Sequence, residues 1–231
     1  MKRLVLLGEG RGDAEALPVL VRKLLSGRGT ERPFFVDPNV IRKCSATDMV
    51  KWNKGEQKAD YAKWRDRVEL ARRRSNLGGV LAVMDGDMET FPAGSGSPFC
   101  PATAAKALTA EAAGIGAGQT FSLVVVFACA EYETWLVAGA ESLAGRKLAD
   151  GRLALSPNVE FPSRDHESRG KRWLQKHCHG YRETRDQSVL TEMLDLAVVR
   201  AKNLRSFTRL DHALDQLLQA EAAGSFIATP G

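Results

Sequence analysis

The chain has 231 residues, of which 44% are hydrophobic and 26% charged, with a formal net charge of +5 and an isoelectric point near 9.1. This length accommodates one substantial hydrophobic core, and the composition excludes disordered, collagen-like and disulfide-rich classes. The longest apolar stretch, residues 121–130, is about half of what a membrane span requires, so we expect no membrane partner.

The amino terminus predicts a first β-strand rather than an export signal. Lys2 and Arg3 precede four apolar residues, but acidic residues follow at Glu9 and Asp13 and argue against a cleavage site. The four cysteines include no Cys-x-x-Cys pair, and we expect them to be reduced thiols. The sequence therefore predicts a cytoplasmic protein.

Apolar strands alternate with amphipathic helices along the first 130 residues. The predicted strands and helices are, in chain order, strand 3–7, helix 13–25, strand 34–41 bent at Pro38, helix 61–76, strand 80–84, helix 102–113 and strand 121–127. Residues 51–58 are polar and predict a loop. The alternation is typical of a parallel α/β sheet.

The sequence predicts one α/β fold with an open, mostly parallel sheet flanked by helices. We assign this core to residues 1–140. Residues 141–231 show helical spacing of apolar residues, and we expect a mainly helical C-terminal extension packed on the same sheet.

Acidic residues follow three of the predicted strands. They are Glu9, then Asp85 and Asp87, then Glu131 and Glu133. Functional groups in an open α/β sheet gather outside the carboxyl ends of the strands, and Mg²⁺ prefers oxygen ligands. We therefore expect Glu9, Asp85 and Asp87 to converge on a divalent metal ion.

These motifs have two other interpretations. Asp85-Gly86-Asp87 is also a strong turn signal, although Glu9 on a neighbouring strand end favours a metal site. Gly8-Glu9-Gly10-Arg11-Gly12 precedes a helix, but it lacks the Lys-Ser/Thr of a P-loop and the spacing of the dinucleotide fingerprint. A phosphate loop is therefore disfavoured.

These motifs resemble the Toprim domain of topoisomerases, primases, recombination proteins and the overcoming-lysogenization-defect nucleases. The pattern is an apolar strand ending in Glu9-Gly10 and a second one ending in Asp85-Gly86-Asp87. More narrowly, the chain resembles the Toprim-like domain-of-unknown-function family 4276. Further residues that carry this resemblance are Asp13, Glu15, Met84, Glu131, Glu133, Trp135-Leu136, Tyr181, Gln187 and Arg205-Ser206-Phe207.

The resemblance implies roles for the acids. Glu9 would be a metal ligand or general acid/base, Asp85 and Asp87 would hold Mg²⁺ or Mn²⁺, and Asp13 and Glu133 would be further ligands. It also implies a partner ATPase of the ABC/SMC type and a role in phage or mobile-element defence. The chain has no topoisomerase-like nucleophilic tyrosine domain, zinc module or winged helix, which leaves metal-dependent hydrolysis.

Basic residues suggest where DNA or RNA would bind. One helix face carries Arg65, Arg67, Arg72, Arg73 and Arg74, and a second strip carries Arg164, Arg169, Lys171, Arg172 and Lys176. Such side chains contact phosphates without reading sequence, although a charged helix face is also ordinary solvated surface. The group His166, His177, Cys178 and His179 fits no common zinc spacing.

Two hypotheses follow. The first is a Mg²⁺-dependent phosphodiesterase, a Toprim-type nuclease that acts with an ATPase partner. The second is a non-catalytic Toprim-like binding or regulatory subunit of an ATPase complex. The sequence leaves the oligomeric state open, and a homo-oligomer is compatible with it.

Overall fold

A computed structural model describes residues 1–29, 34–159 and 170–231 of the chain. The elements in chain order are β1 Lys2–Leu7, α1 Arg11–Ser26, β2 Phe34–Val36, α2 Ala46–Met49, β3 Lys51–Asn53, β4 Lys58–Asp60, α3 Ala62–Arg72, β5 Leu77–Asp85, α4 Pro101–Ala113, β6 Ser122–Ala128, α5 Glu133–Ala138, α6 Gly170–His177, α7 Glu183–Met193, α8 Leu196–Ala201, α9 Arg205–Ala222 and β7 Ala228–Pro230.

Five of these strands form one sheet in the order β2-β1-β5-β6-β7, and every pairing between them is parallel. The central strands are apolar throughout because both faces of the sheet are covered. Alternate residues of each strand enter different clusters: Leu4 and Leu6 pack on one face, and Val5 and Leu7 pack on the other. The predicted fold class is confirmed.

Helices cover the sheet on both faces. The first face carries α1, α5, α7 and α9, and Leu20 of α1 and Phe207 of α9 share one core cluster there. The second face carries α3 and α4, with Trp64 and Leu108 at its centre. The helices after residue 140 therefore pack on the same sheet as the first half of the chain.

The connections diverge between β1 and β5. After β1 the chain enters α1 on the first face and returns at β2, whereas after β5 it enters α4 on the second face and continues to β6. Such a reversal of strand order leaves a crevice at the carboxyl ends of the strands, where α/β proteins bind their ligands. Glu9 and Asp85 stand on its two sides.

Three short strands of the structure, β3, β4 and β7, differ from the sequence prediction. Residues 51–58 are not a plain loop, because β3 and β4 form an antiparallel hairpin whose Trp52 N–H donates to the distant Ala93 carbonyl. The short strand β7, after the helical region, pairs with β6 and was not predicted. No helix within the described ranges is long and apolar enough to span a membrane.

Candidate functional site: an acidic cavity at the carboxyl edge of the sheet

A cavity of about 310 Å³ opens at the carboxyl ends of β1 and β5. Its walls come from the loop after β1, the first turn of α1, α2 with the segment that leads into it, the end of β5, the start of α5 with the residues before it, and helices α6 and α7. The lining residues are Glu9, Gly10, Asp13, Lys43, Ser45, Asp48, Asp85, Glu131, Glu133, Lys171, Glu183 and Gln187. Seven of them are carboxylates and two are lysines.

Glu9 and Asp85 are joined across the crevice. The Asp85 backbone N–H donates to Glu9 Oε1 at 2.8 Å, and the Tyr132 N–H donates to Asp85 Oδ1 at 3.0 Å. Each carboxylate thus has one oxygen fixed by a main-chain donor, and no main-chain N–H of the described residues donates to its second oxygen. Gly86 is required beside them, because a Cβ there would lie 2.7 Å from the Ala128 carbonyl oxygen.

Asp13 positions the loop that carries Glu9. Asp13 lies in the first turn of α1, and its Oδ2 accepts from the N–H groups of Gly10 at 2.9 Å and Glu9 at 3.2 Å. Its other oxygen accepts from Gln187 Nε2 at 3.2 Å. A carboxylate in the first helical turn also suits the helix dipole. Both oxygens of Asp13 therefore hold protein donors in this structure.

Glu131 and Glu133 form the opposite wall. The Lys171 N–H at the start of α6 donates to Glu131 Oε1 at 2.6 Å, and the Tyr181 hydroxyl donates to Glu133 Oε1 at 3.0 Å. Glu133 is only 4% exposed. The Lys171 ammonium pairs with Glu183, so it neutralises one acid of this wall.

The buried acids resist ionisation. Burial and the charges of Asp13 and Asp87 raise the pKa of Glu9 to about 7. Burial and the charge of Glu131 raise the pKa of Glu133 to about 7 as well. The pKa of Asp85 is raised by burial and then by the charge of Glu9. The cavity thus brings carboxyl groups together in surroundings that disfavour their ionised form.

The family follows from a comparison of the whole chain with family models. Residues 8–215 match the model described as Domain of unknown function (DUF4276). The chain belongs to this family. A search of the curated proteins and a search of the solved structures each found no match.

Three distant residues that carried the DUF4276 resemblance contact the site or its support. Tyr181 binds Glu133, and Gln187 binds Asp13. Ser206 accepts a hydrogen bond at 3.0 Å from Nε1 of Trp135, which lies in α5, the helix that begins at Glu133. Each contact spans at least 48 residues of sequence. Residues far apart in this DUF4276 chain are therefore brought together at the cavity and beside it.

The predicted site residues divide into two groups. Glu9, Asp13, Asp85 and Glu133 line the cavity together. Asp87 is exposed and does not line it, although its charge raises the pKa of both Glu9 and Glu131. In this DUF4276 chain, Asp87 stands at the mouth of the site.

Three of the predicted nucleic-acid-binding arginines, those at the end of α3, lie far from the cavity. Arg72, Arg73 and Arg74 close α3 just before the amino end of β5, whereas the acids follow its carboxyl end about 30 Å away along the nine-residue strand. Arg65 pairs with Glu111, and Arg72 and Arg73 pair with Glu69. Lys171, by contrast, lines the cavity. Arg164, His166 and Arg169 lie outside the described residues.

Several lining residues were not predicted. Lys43, Ser45, Asp48 and Glu183 reach the cavity from segments with no strand-end signal. Of the two lining residues in α7, Glu183 and Gln187, only Gln187 belongs to the residues that carry the DUF4276 resemblance. The polar spacing of α7 resembles that of any surface helix, so the sequence offered no local signal for Glu183.

A divalent cation suits the donor set of this cavity. Mg²⁺ and Mn²⁺ prefer oxygen ligands. The cavity offers seven carboxylates, with two lysines among its lining residues. Among the described residues, no three His, Cys, Asp or Glu side chains are already arranged as a metal-binding group. Mg²⁺ is commonly held by one or two carboxylates, with water and phosphate oxygens completing its shell.

Proposed function

We propose that this protein is a divalent-metal-dependent phosphodiesterase of Toprim type that cleaves DNA or RNA. The single observation that carries the proposal is the pairing of Glu9 with Asp85 at the strand-order reversal. Two partly buried carboxylates at the ends of neighbouring strands share a hydrogen-bonded unit there, and the second oxygen of each accepts no main-chain hydrogen bond from the described residues. The relation to Toprim rests on this arrangement together with the Glu9 and Asp85-Gly86-Asp87 motifs.

Glu9 and Asp85 would hold the cation, with Glu133 on the facing wall. When bound there, Mg²⁺ or Mn²⁺ supplies charge neutralisation for a phosphodiester and activation of the attacking water. Glu9, with a pKa of about 7, holds or releases a proton at its carboxyl group near neutral pH. Asp13 fixes the main chain of Glu9, and Tyr181 fixes Glu133, so neither carboxylate has to reorganise.

The test is a titration of DNA and RNA cleavage against Mn²⁺ for the wild type, Glu9→Gln and Glu56→Gln. Glu56 pairs with Lys58 on the exposed β3–β4 hairpin and serves as the matched control. If Glu9 is a ligand, Glu9→Gln raises the Mn²⁺ requirement and excess Mn²⁺ partly restores cleavage. If Glu9 is only a proton shuttle, cleavage falls by about two to four orders of magnitude with unchanged Mn²⁺ affinity. Full activity of Glu9→Gln at ordinary Mn²⁺ concentrations would remove Glu9 from the site.

One observation favours the second candidate, a non-catalytic binding or regulatory subunit of an ABC/SMC-type ATPase complex. The described residues contain no prearranged group of three metal-ligating side chains. Mn²⁺ binding without cleavage of any nucleic acid would support this candidate over the first. An ATPase partner and a role in phage or mobile-element defence belong to both candidates.

A further inference from the structure

The cavity cannot hold a nucleic acid by its own side chains. Seven carboxylates line it against two lysines, and Lys171 is already paired with Glu183. A phosphate backbone is repelled by such a lining wherever no cation intervenes. Positive charge must therefore lie beside the cavity, close enough to steer one phosphodiester into it.

Helix α6 is fixed to the rim of the cavity. Its first turn donates the Lys171 N–H to Glu131 Oε1 at 2.6 Å. Gly170 packs so closely that a Cβ on it would lie 2.6 Å from the Thr134 nitrogen. The helix is thus held against the same Glu131–Thr134 segment that supplies two of the cavity's carboxylates.

The outer face of α6 is cationic. Its sequence, Gly-Lys-Arg-Trp-Leu-Gln-Lys-His, contains no acid. Gly170 and Leu174 are buried, and at about 100° per residue Arg172 and Lys176 fall on the opposite side, one turn apart. Both are exposed, and neither forms an ion pair with another residue in the part of the chain that is described.

An aromatic pair flanks this cationic face. The rings of Trp173 and His177 lie 4.5 Å apart with an interplanar angle of 32°. Both residues are half-buried, and Trp173 packs against the core, so its ring is held in place. Proteins that bind single strands combine these two features, with cations along the backbone and rings on which bases stack.

We propose that the outer face of α6, formed by Arg172, Trp173, Lys176 and His177, docks a single-stranded nucleic acid and leads it to the acidic cavity. The inference rests on the proposed function and deepens it by naming the substrate class. Lys171 stands between this surface and the cavity. The arginines at the end of α3 take no part, because they lie at the opposite edge of the sheet.

The test compares two matched charge reversals, Arg172→Glu/Lys176→Glu on α6 and Arg72→Glu/Arg73→Glu on α3. Binding of a short fluorescein-labelled oligothymidylate is measured by anisotropy in EDTA over a series of salt concentrations. The α6 variant should bind about 10- to 100-fold more weakly, with a log–log salt slope shallower by about 1.4 units for two lost contacts. The α3 variant should match the wild type. Equal losses in both variants, or none in either, would overturn the proposal.

The contribution of the Trp173 ring is tested with the variant Trp173→Leu, which keeps an apolar side chain against the core. Its affinity for the oligothymidylate should fall about 5- to 100-fold with an unchanged salt slope, and Trp173→Phe should recover most of the loss. The thermal midpoint of each variant checks the fold. Wild-type affinity in Trp173→Leu, or equal binding of a duplex by the wild-type protein, would overturn the assignment to single strands.

The two proposals fail in different experiments. Calorimetric Mn²⁺ binding reports on Glu9 and Asp85 and should be the same in the wild type and the α6 variant. Oligothymidylate binding that depends on α6 without any cleavage would overturn the proposed function alone. Cleavage that persists unchanged in the α6 variant would overturn the docking surface alone.

Discussion

At the scale of single residues, two glutamates hold their protons unusually tightly. The pKa values of Glu9 and Glu133 are raised from 4.5 to about 7, chiefly by burial. A raised pKa in the folded state contributes stability that is fully present below the unfolded value. That stability is lost as the pH rises through the folded value.

We therefore expect the metal-free protein to lose stability between about pH 4.5 and pH 7. Each glutamate contributes about 2–3 kcal/mol to the loss in the free energy of unfolding. Urea denaturation of the wild type and of Glu9→Gln in EDTA across this range measures it. The dependence should be weaker in Glu9→Gln, because glutamine does not ionise. Parallel curves for the two proteins would show that Glu9 ionises as freely in the folded state as in the unfolded one.

At the scale of elements, the site depends on how closely α1 approaches α7. Gly12 of α1 faces Gln187 of α7, and a Cβ on Gly12 would lie 2.0 Å from Gln187 Oε1. Gln187 is 1% exposed and donates to Asp13, so it cannot move aside without a loss. The absence of a side chain at Gly12 thus permits the contact that orients Asp13.

Gly12→Ala should lower the free energy of unfolding by about 1–3 kcal/mol, because the added methyl group overpacks a closed contact. Gly27→Ala at the end of the same helix is the control, since a Cβ there meets nothing closer than 3.7 Å. In the double variant Gly12→Ala/Gln187→Ala the clash is removed, and we expect a favourable coupling of about 1 kcal/mol or more. Additive effects in denaturant unfolding would mean that Gly12 and Gln187 do not constrain each other.

Individual elements also show how far the sequence could predict this structure. The strands β1, β5 and β6 were predicted because each contains a run of consecutive apolar residues, which is typical of a strand buried on both faces. The β3–β4 hairpin and β7 were not, because a polar hairpin bonded to Ala93 and a three-residue strand ending in Pro230 carry no periodic signal. Strand ends likewise predicted the positions of Glu9 and Asp85, whereas Glu183 depends on a helix packing that only the folded chain reveals.

At the scale of the whole molecule, the first face of the sheet is covered by both halves of the chain. Leu81 and Val124 of the sheet share a core cluster with Leu190 of α7 and Leu214 of α9. The outer strand β7 pairs with β6. Residues from the predicted core, 1–140, and from the predicted extension, 141–231, therefore share one hydrophobic cluster.

A fragment of residues 1–140 should accordingly fail to melt cooperatively and should bind a hydrophobic dye. Without α7 and α9, the part of the first face that these two helices cover is left in water, and only α1 and α5 remain on that face. Circular dichroism during heating, with the intact chain as reference, measures the difference. A sharp thermal transition of the fragment would instead establish residues 1–140 as an independent domain.

The contact between Gln187 and Asp13 joins residues 174 positions apart. On a ribosome that adds about 5–20 residues per second, the two are made roughly 10 to 35 s apart. Between the synthesis of Asp85 and that of α6, the nascent chain carries Glu9 and Asp85 but has neither α6 nor α7 to wall them in. The acidic cavity is therefore a late product of biosynthesis, and a chain that stops short carries the acids without the enclosure that raises their pKa.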